Sequence, residues 1–162
     1  MKNKKAYFIT QAAVIAAIYV VLTVAINAFD LASGAIQVRI SEALTILPFF
    51  TPAAVPGLFI GCLLSNFITG APIWDVIFGS LATLLGALGT YALRKWKWCA
   101  PIPPILANVL IIPFVLQYAY GLPGGIPFFM LTIGIGELIS CGILGMLLLF
   151  LLQKYRTHLF RQ

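Results

Sequence analysis

Five charged residues stand apart from every other charge in this chain: Asp30, Arg39, Glu42, Asp75 and Glu137. Each lies in apolar sequence, and four acids against one arginine leave them at minus three. A carboxylate in such surroundings can accept two parallel hydrogen bonds from a ring N–H and the amino group beside it. An aromatic side chain can stack on the same ring, and Trp74 adjoins Asp75 while Tyr118 adjoins Gln117. The chemistry within reach is recognition of a planar, nitrogen-rich or cationic solute. A carboxylic or phosphate solute fits this charge balance poorly.

The remaining basic residues say where such a site sits. Nine of the ten lysines and arginines fall in three clusters, Lys2/Lys4/Lys5, Arg94/Lys95/Lys97 and Lys154/Arg156/Arg161. Between them the chain is apolar: 62% of residues are hydrophobic and 9% charged, and residues 7–28 carry no charge. About 20 apolar residues cross a bilayer as a helix. The net charge of +6 is therefore membrane-orienting charge, not a nucleic-acid footprint, because no aromatic or arginine-rich patch interleaves it.

Lysine and arginine stay on the cytoplasmic side of short loops. With all three clusters inside, each stretch between them crosses an even number of times. Residues 98–153 hold two apolar runs split by the turn-rich residues 121–126, and residues 6–93 hold four. The pattern predicts an all-α integral membrane protein, one transmembrane domain over residues 1–162, with both termini cytoplasmic. Six transmembrane helices are expected at about 7–28, 38–50, 53–70, 73–93, 102–120 and 127–152. The second helix is short, roughly 20 Å as an α-helix, and has to be sheltered by its neighbours at membrane depth. A signal-peptide reading of the N-terminus competes with the first span, but its apolar run exceeds a signal core and the crossing parity needs it retained. Cys62, Cys99 and Cys141 form no CxxC and lack a histidine neighbour, so they read as packing residues, with no metal site or cofactor expected.

On this topology the polar residues gather in the outer half: Asn27 and Asp30, Gln37, Arg39 and Glu42, Asn66, Trp74 and Asp75, Gln117 and Tyr118. Glu137 lies some 15 Å into the last span. An ionisable group at that depth costs at least about 2.5 kcal/mol on insertion scales and usually faces a cavity or a partner. Plainer roles exist for several of these: Arg39 and Glu42 are spaced to pair on one helix face, Trp74 suits an interfacial anchor, and Asn108 suits a helix-to-helix hydrogen bond. Small residues make a second pattern. Ala12, Ala13, Ala16 and Ala17 on the first span, and Gly57 with Gly61 on the third, form small-xxx-small pairs that allow close helix approach, either within this chain or to another membrane subunit.

The strings IQVRISEALT (residues 36–45), GLFIGC (57–62) and DVIFGSLAT (75–83), with Asn66 and Gly136-Glu137, resemble the QueT family. Its members are substrate-binding S components of energy-coupling factor (ECF) transporters. The resemblance covers nearly the whole chain and is weakest over residues 118–127. It implies a six-helix S component in a bacterial cell membrane that captures a queuosine precursor, a 7-deazaguanine base such as the aminomethyl form, or queuine, from outside. It also implies as partners the coupling protein EcfT and two EcfA-type ATPases, with the Ala12/Ala13/Ala16/Ala17 face resembling the alanine signature that contacts EcfT. No GxxxxGK[ST] occurs in the chain, so ATP hydrolysis would reside in separate subunits.

The expected site comprises Glu42, Asp75 and Glu137 reading the base or its amine, Arg39 gating or orienting Glu42, Asn66 donating a hydrogen bond, and Trp74 or Tyr118 stacking. A self-sufficient proton-coupled transporter with Glu137 as relay is the alternative. A membrane enzyme fits less well, since the lone His158 lies in the basic tail without a nucleophile–base pair. A structural subunit would bind no small molecule.

Overall fold

The computed structural model describes residues 3–28 and 39–155; Asp30, Gln37, Arg156, His158 and Arg161 lie outside the described residues. Every regular element among the described residues is helical. The order is α1 (Asn3–Ala28), a 3-10 helix (Ile40–Phe49), α2 (Ala54–Ile68), α3 (Ile73–Ala92), a single 3-10 turn (Lys97–Cys99), α4 (Ile102–Tyr118), α5 (Ile126–Glu137), a π-helical turn (Leu138–Leu144) and α6 (Gly145–Lys154). Among the described residues, four helical runs are long and apolar enough to cross a membrane: Lys4–Asn27, Ile73–Ala92, Lys97–Tyr118 and Ile126–Lys154; Ile40–Phe49 and Ala54–Ile68 are shorter.

The short second element departs from the α-helix expected of it. It runs ten residues as a 3-10 helix, although such runs seldom exceed three or four residues. At about 2.0 Å per residue it still reaches roughly 20 Å. Burial explains why so poor a helix persists: Ser41 to Pro48 are all buried, and the element packs against α1, α2, α3, the π turn and α6. It is the strut around which the bundle closes. Pro48 inside it lacks a backbone N–H and so leaves one helical hydrogen bond unmade.

Close approach of the helices depends on small residues. A Cβ on Gly57 would lie 2.7 Å from the Ala12 carbonyl oxygen, and one on Gly61 2.8 Å from the Tyr19 Cβ, so α1 and α2 meet backbone to backbone. At the other end of the chain's turn, a Cβ on Gly86 would stand 2.6 Å from the Pro104 Cα, and Thr90 Oγ1 donates to the Ala100 carbonyl at 2.8 Å. These contacts seat α4 on α3.

The alanine face of α1 is thereby divided. Ala12 and Ala16 face α2 and its two glycines, while Ala13 and Ala17 are exposed. The small-xxx-small pattern of Ala12/Ala16 is used inside this chain.

Candidate functional site

A cavity of about 360 Å³ opens between the ends of α1, α2, α3 and α4, walled on its polar side by Arg39, Ser41, Asn66, Asp75 and Tyr120. Asp75 is its centre. The turn before α3 places it: Gly70 has φ +73°, the Ala71 N–H reaches the Asn66 carbonyl at 2.9 Å and the Gly70 N–H reaches Phe67 at 3.2 Å, a Schellman closure that needs a residue at home in the left-handed region. Asn66 Nδ2 then donates to the Asp75 carbonyl at 3.3 Å. The Asp75 carboxylate, in the first turn of α3 where the helix dipole favours an anion, accepts from Arg39 Nη2 at 3.5 Å and from the Tyr120 hydroxyl at 3.1 Å. Its other oxygen, Oδ1, is buried without a hydrogen-bond partner among the described residues.

Tyr120 arrives by a second reversal. Gly121, at φ +61°, turns the chain after α4 and the Leu122 N–H bonds back to Leu116 at 3.3 Å. Burial and the adjacent Asp75 push the Tyr120 phenol up to about 12, so it remains a donor at neutral pH.

Thr23 and Ser41, joined by a 2.9 Å hydrogen bond, also line the cavity. Beyond Ser41 the next residue in sequence is Glu42, 1% exposed. The Tyr19 hydroxyl donates to Glu42 Oε1, and Oε2 has no hydrogen-bond partner among the described residues. Glu137 reaches the same interior from the end of α5, and Cys141 on the π turn donates to its Oε2 at 3.1 Å. Cys141 also contacts the Glu42 carbonyl at 3.4 Å and Thr45 Oγ1 at 3.4 Å. One donor atom each from Glu42, Glu137 and Cys141 fall within 4.8 Å of one another. That set has two hard donors and one soft, and its thiol proton is already engaged by Glu137, an arrangement built to hold N–H or O–H groups as readily as an ion.

Of the expected site residues, the fold brings Arg39, Asn66 and Asp75 to one cavity and Glu42 with Glu137 to the buried layer next to it. Arg39 pairs with Asp75 and not with Glu42, because the residue caps the 3-10 helix in extended conformation; the i, i+3 pairing presumed that both residues are helical. Trp74 and Tyr118 are placed elsewhere, 52% and 75% exposed, along an apolar groove of about 750 Å³ between α3 and α4. Trp74 stacks on Phe78 and Tyr118 on Phe114. The aromatic ring in the polar cavity is Tyr120. Tyr19, Tyr120 and Cys141 were not signalled as polar partners by type alone. Tyr19 and Thr23, four apart on the face that carries Ala12 and Ala16, were the one hint.

A bundle of long apolar helices enclosing buried acids beside a polar cavity defines a multi-pass membrane protein equipped to hold a small solute. The family described as QueT transporter matches residues 9–154, and the chain belongs to that family. A relative from Lactococcus lactis subsp. cremoris (strain MG1363), named Queuosine precursor transporter QueT, is 40% identical over 98 residues, 60% of this chain and 57% of the relative. The match thus spans little more than half of that relative's length. No solved structure matches the chain.

Proposed function

We propose that this chain is the substrate-capturing S component of an ECF-type importer for a queuosine precursor, a 7-deazaguanine base taken up across a bacterial cell membrane. The observation that carries the reading is the polar cavity at the Asp75 end of α3, with the unpartnered Asp75 Oδ1 beside it. The Arg94–Lys97 basic cluster lies just past the opposite end of that helix, some 30 Å away by helical rise. Basic loops stay inside, so the cavity faces outward, the bundle crosses six times and both termini are cytoplasmic. At about 360 Å³ the cavity is at the small end of ligand pockets, which span about 300–1,000 Å³, and suits one flat heterocycle.

In this reading Asp75 accepts N–H groups of the base, Tyr120 lies along its ring or edge, Asn66 holds Asp75 in place, and Arg39 balances the charge. The exposed Ala13 and Ala17 remain available to a coupling protein, and ATP hydrolysis is supplied by separate ATPase subunits. Mass spectrometry of the small molecule that copurifies with the protein should find a 7-deazaguanine, and calorimetric titration should give saturable binding of the aminomethyl base, its nitrile precursor or queuine. Saturable binding of none of the three removes the reading. Trp74→Ala and Tyr118→Ala should leave that affinity within about twofold, since surface aromatics remote from the ligand change little beyond roughly 0.5 kcal/mol; a larger loss would place the ligand in the apolar groove.

The buried Glu42 and Glu137 favour one competing reading, a self-sufficient proton-coupled carrier. Uptake by proteoliposomes that contain this chain and no ATPase distinguishes the two: the S-component reading expects none.

A further inference from the structure

Two neutral donors hold the buried acids, and neither belongs to the cavity wall. Tyr19, 1% exposed on α1, gives its only hydroxyl proton to Glu42 Oε1. Cys141, 1% exposed, shares its thiol proton between Glu137 Oε2 at 3.1 Å and the Glu42 carbonyl at 3.4 Å. The two acids belong to different elements, the 3-10 helix and the end of α5, and the π turn that carries Cys141 is packed on the 3-10 helix. Each donor therefore fixes the rotation of one carboxylate. In Glu42 the result is an oxygen, Oε2, that is buried and has no hydrogen-bond partner among the described residues. Leaving a buried acceptor unpaired costs about 1–3 kcal/mol, a cost that a ligand N–H can remove.

We propose that Tyr19 and Cys141 are positioning residues that determine specificity: they aim Glu42 and Glu137 at the N–H groups of a positively charged substituent on the bound base. This rests on the reading of the chain as a 7-deazaguanine-binding protein. Arg39 is engaged by Asp75, so among the described residues the Glu42–Glu137 layer has no cationic side chain in hydrogen-bond or ion-pair contact. The cavity wall at the Thr23–Ser41 hydrogen bond is one residue from Glu42, and a ligand ammonium reaching past that wall would supply the missing donors. A linear neutral substituent supplies none.

The test compares two ligands with the same ring, the aminomethyl and the nitrile 7-deazaguanine, titrated into purified wild type, Tyr19→Phe, Cys141→Ala and Cys141→Ser. Loss of one charge-assisted hydrogen bond is worth about tenfold, so Tyr19→Phe and Cys141→Ala should each weaken the aminomethyl ligand about tenfold while leaving the nitrile nearly unchanged. Cys141→Ser, which keeps a donor, should restore most of the preference. General loosening of the bundle would weaken both ligands alike, and that outcome, or unchanged affinity for both, overturns the assignment. If Tyr19→Phe does not fold, the Cys141→Ala and Cys141→Ser pair decides by the same ratio. Wild type binding neither base overturns the functional reading itself and the assignment with it; wild type binding both, with an unaltered ratio in the variants, overturns the assignment alone.

Discussion

Asp75→Asn is expected to cost the greatest share of ligand affinity of any single isosteric change in this protein. The side chain is buried at 5% exposure and joins three elements, through Arg39 at 3.5 Å, Tyr120 at 3.1 Å and its own first turn of α3. A charged hydrogen bond contributes about 1.5–3 kcal/mol, so replacing the carboxylate by an amide should weaken binding by roughly 10- to 150-fold. The amide keeps the shape, so the protein should still fold. Calorimetric titration of the copurifying base checks the affinity. Arg39→Gln combined with Asp75→Asn should be less harmful to stability than the two single losses added together, because the single variants each leave a partner unpaired. Full affinity in Asp75→Asn would move the ligand away from this cavity.

The second large effect belongs to packing. Gly61→Val would set a Cβ 2.8 Å from the Tyr19 Cβ and 3.1 Å from Ala16, both on the buried face of α1. Overpacking of this kind costs about 1–3 kcal/mol, and α1 cannot retreat without carrying Tyr19 away from Glu42. The variant should show a lower unfolding midpoint in detergent and also a weaker aminomethyl ligand. Ala13→Val, on the exposed face of the same helix, should change neither. If Gly61→Val melted as wild type does, the backbone-to-backbone seating of α1 on α2 would be wrong.

These two residues show what could be read along the chain and what could not. Asp75 stood out because an ionised group in apolar sequence costs free energy unless something receives it, and that penalty is visible without coordinates. Gly57 and Gly61 stood out by spacing, but spacing does not name the partner, and only the assembled bundle shows that they receive Ala12 and Ala16. Arg39 was recognisable as the lone cation of the outer half, yet its partner depended on the local backbone. Arg39 stands in extended conformation just before the 3-10 helix, so a helical i, i+3 count does not place its side chain.

The sequence by itself determined the helical apolar runs, the basic clusters that flank them, the shortness of the second run and the identity of the buried acids. All of these follow from local hydropathy and the cost of charge in hydrocarbon, which are properties of neighbouring residues. Only the folded bundle brings Tyr19 to Glu42 and the Cys141 thiol to the Glu42 carbonyl, puts Tyr120 and not Trp74 or Tyr118 in the polar cavity, and makes the second run a 3-10 strut. Those facts join residues up to 99 positions apart, and their energetics depend on which faces of six helical rods meet. Hydrogen-bond direction and ring placement are fixed by that meeting, so no pattern along one strand of sequence encodes them separately.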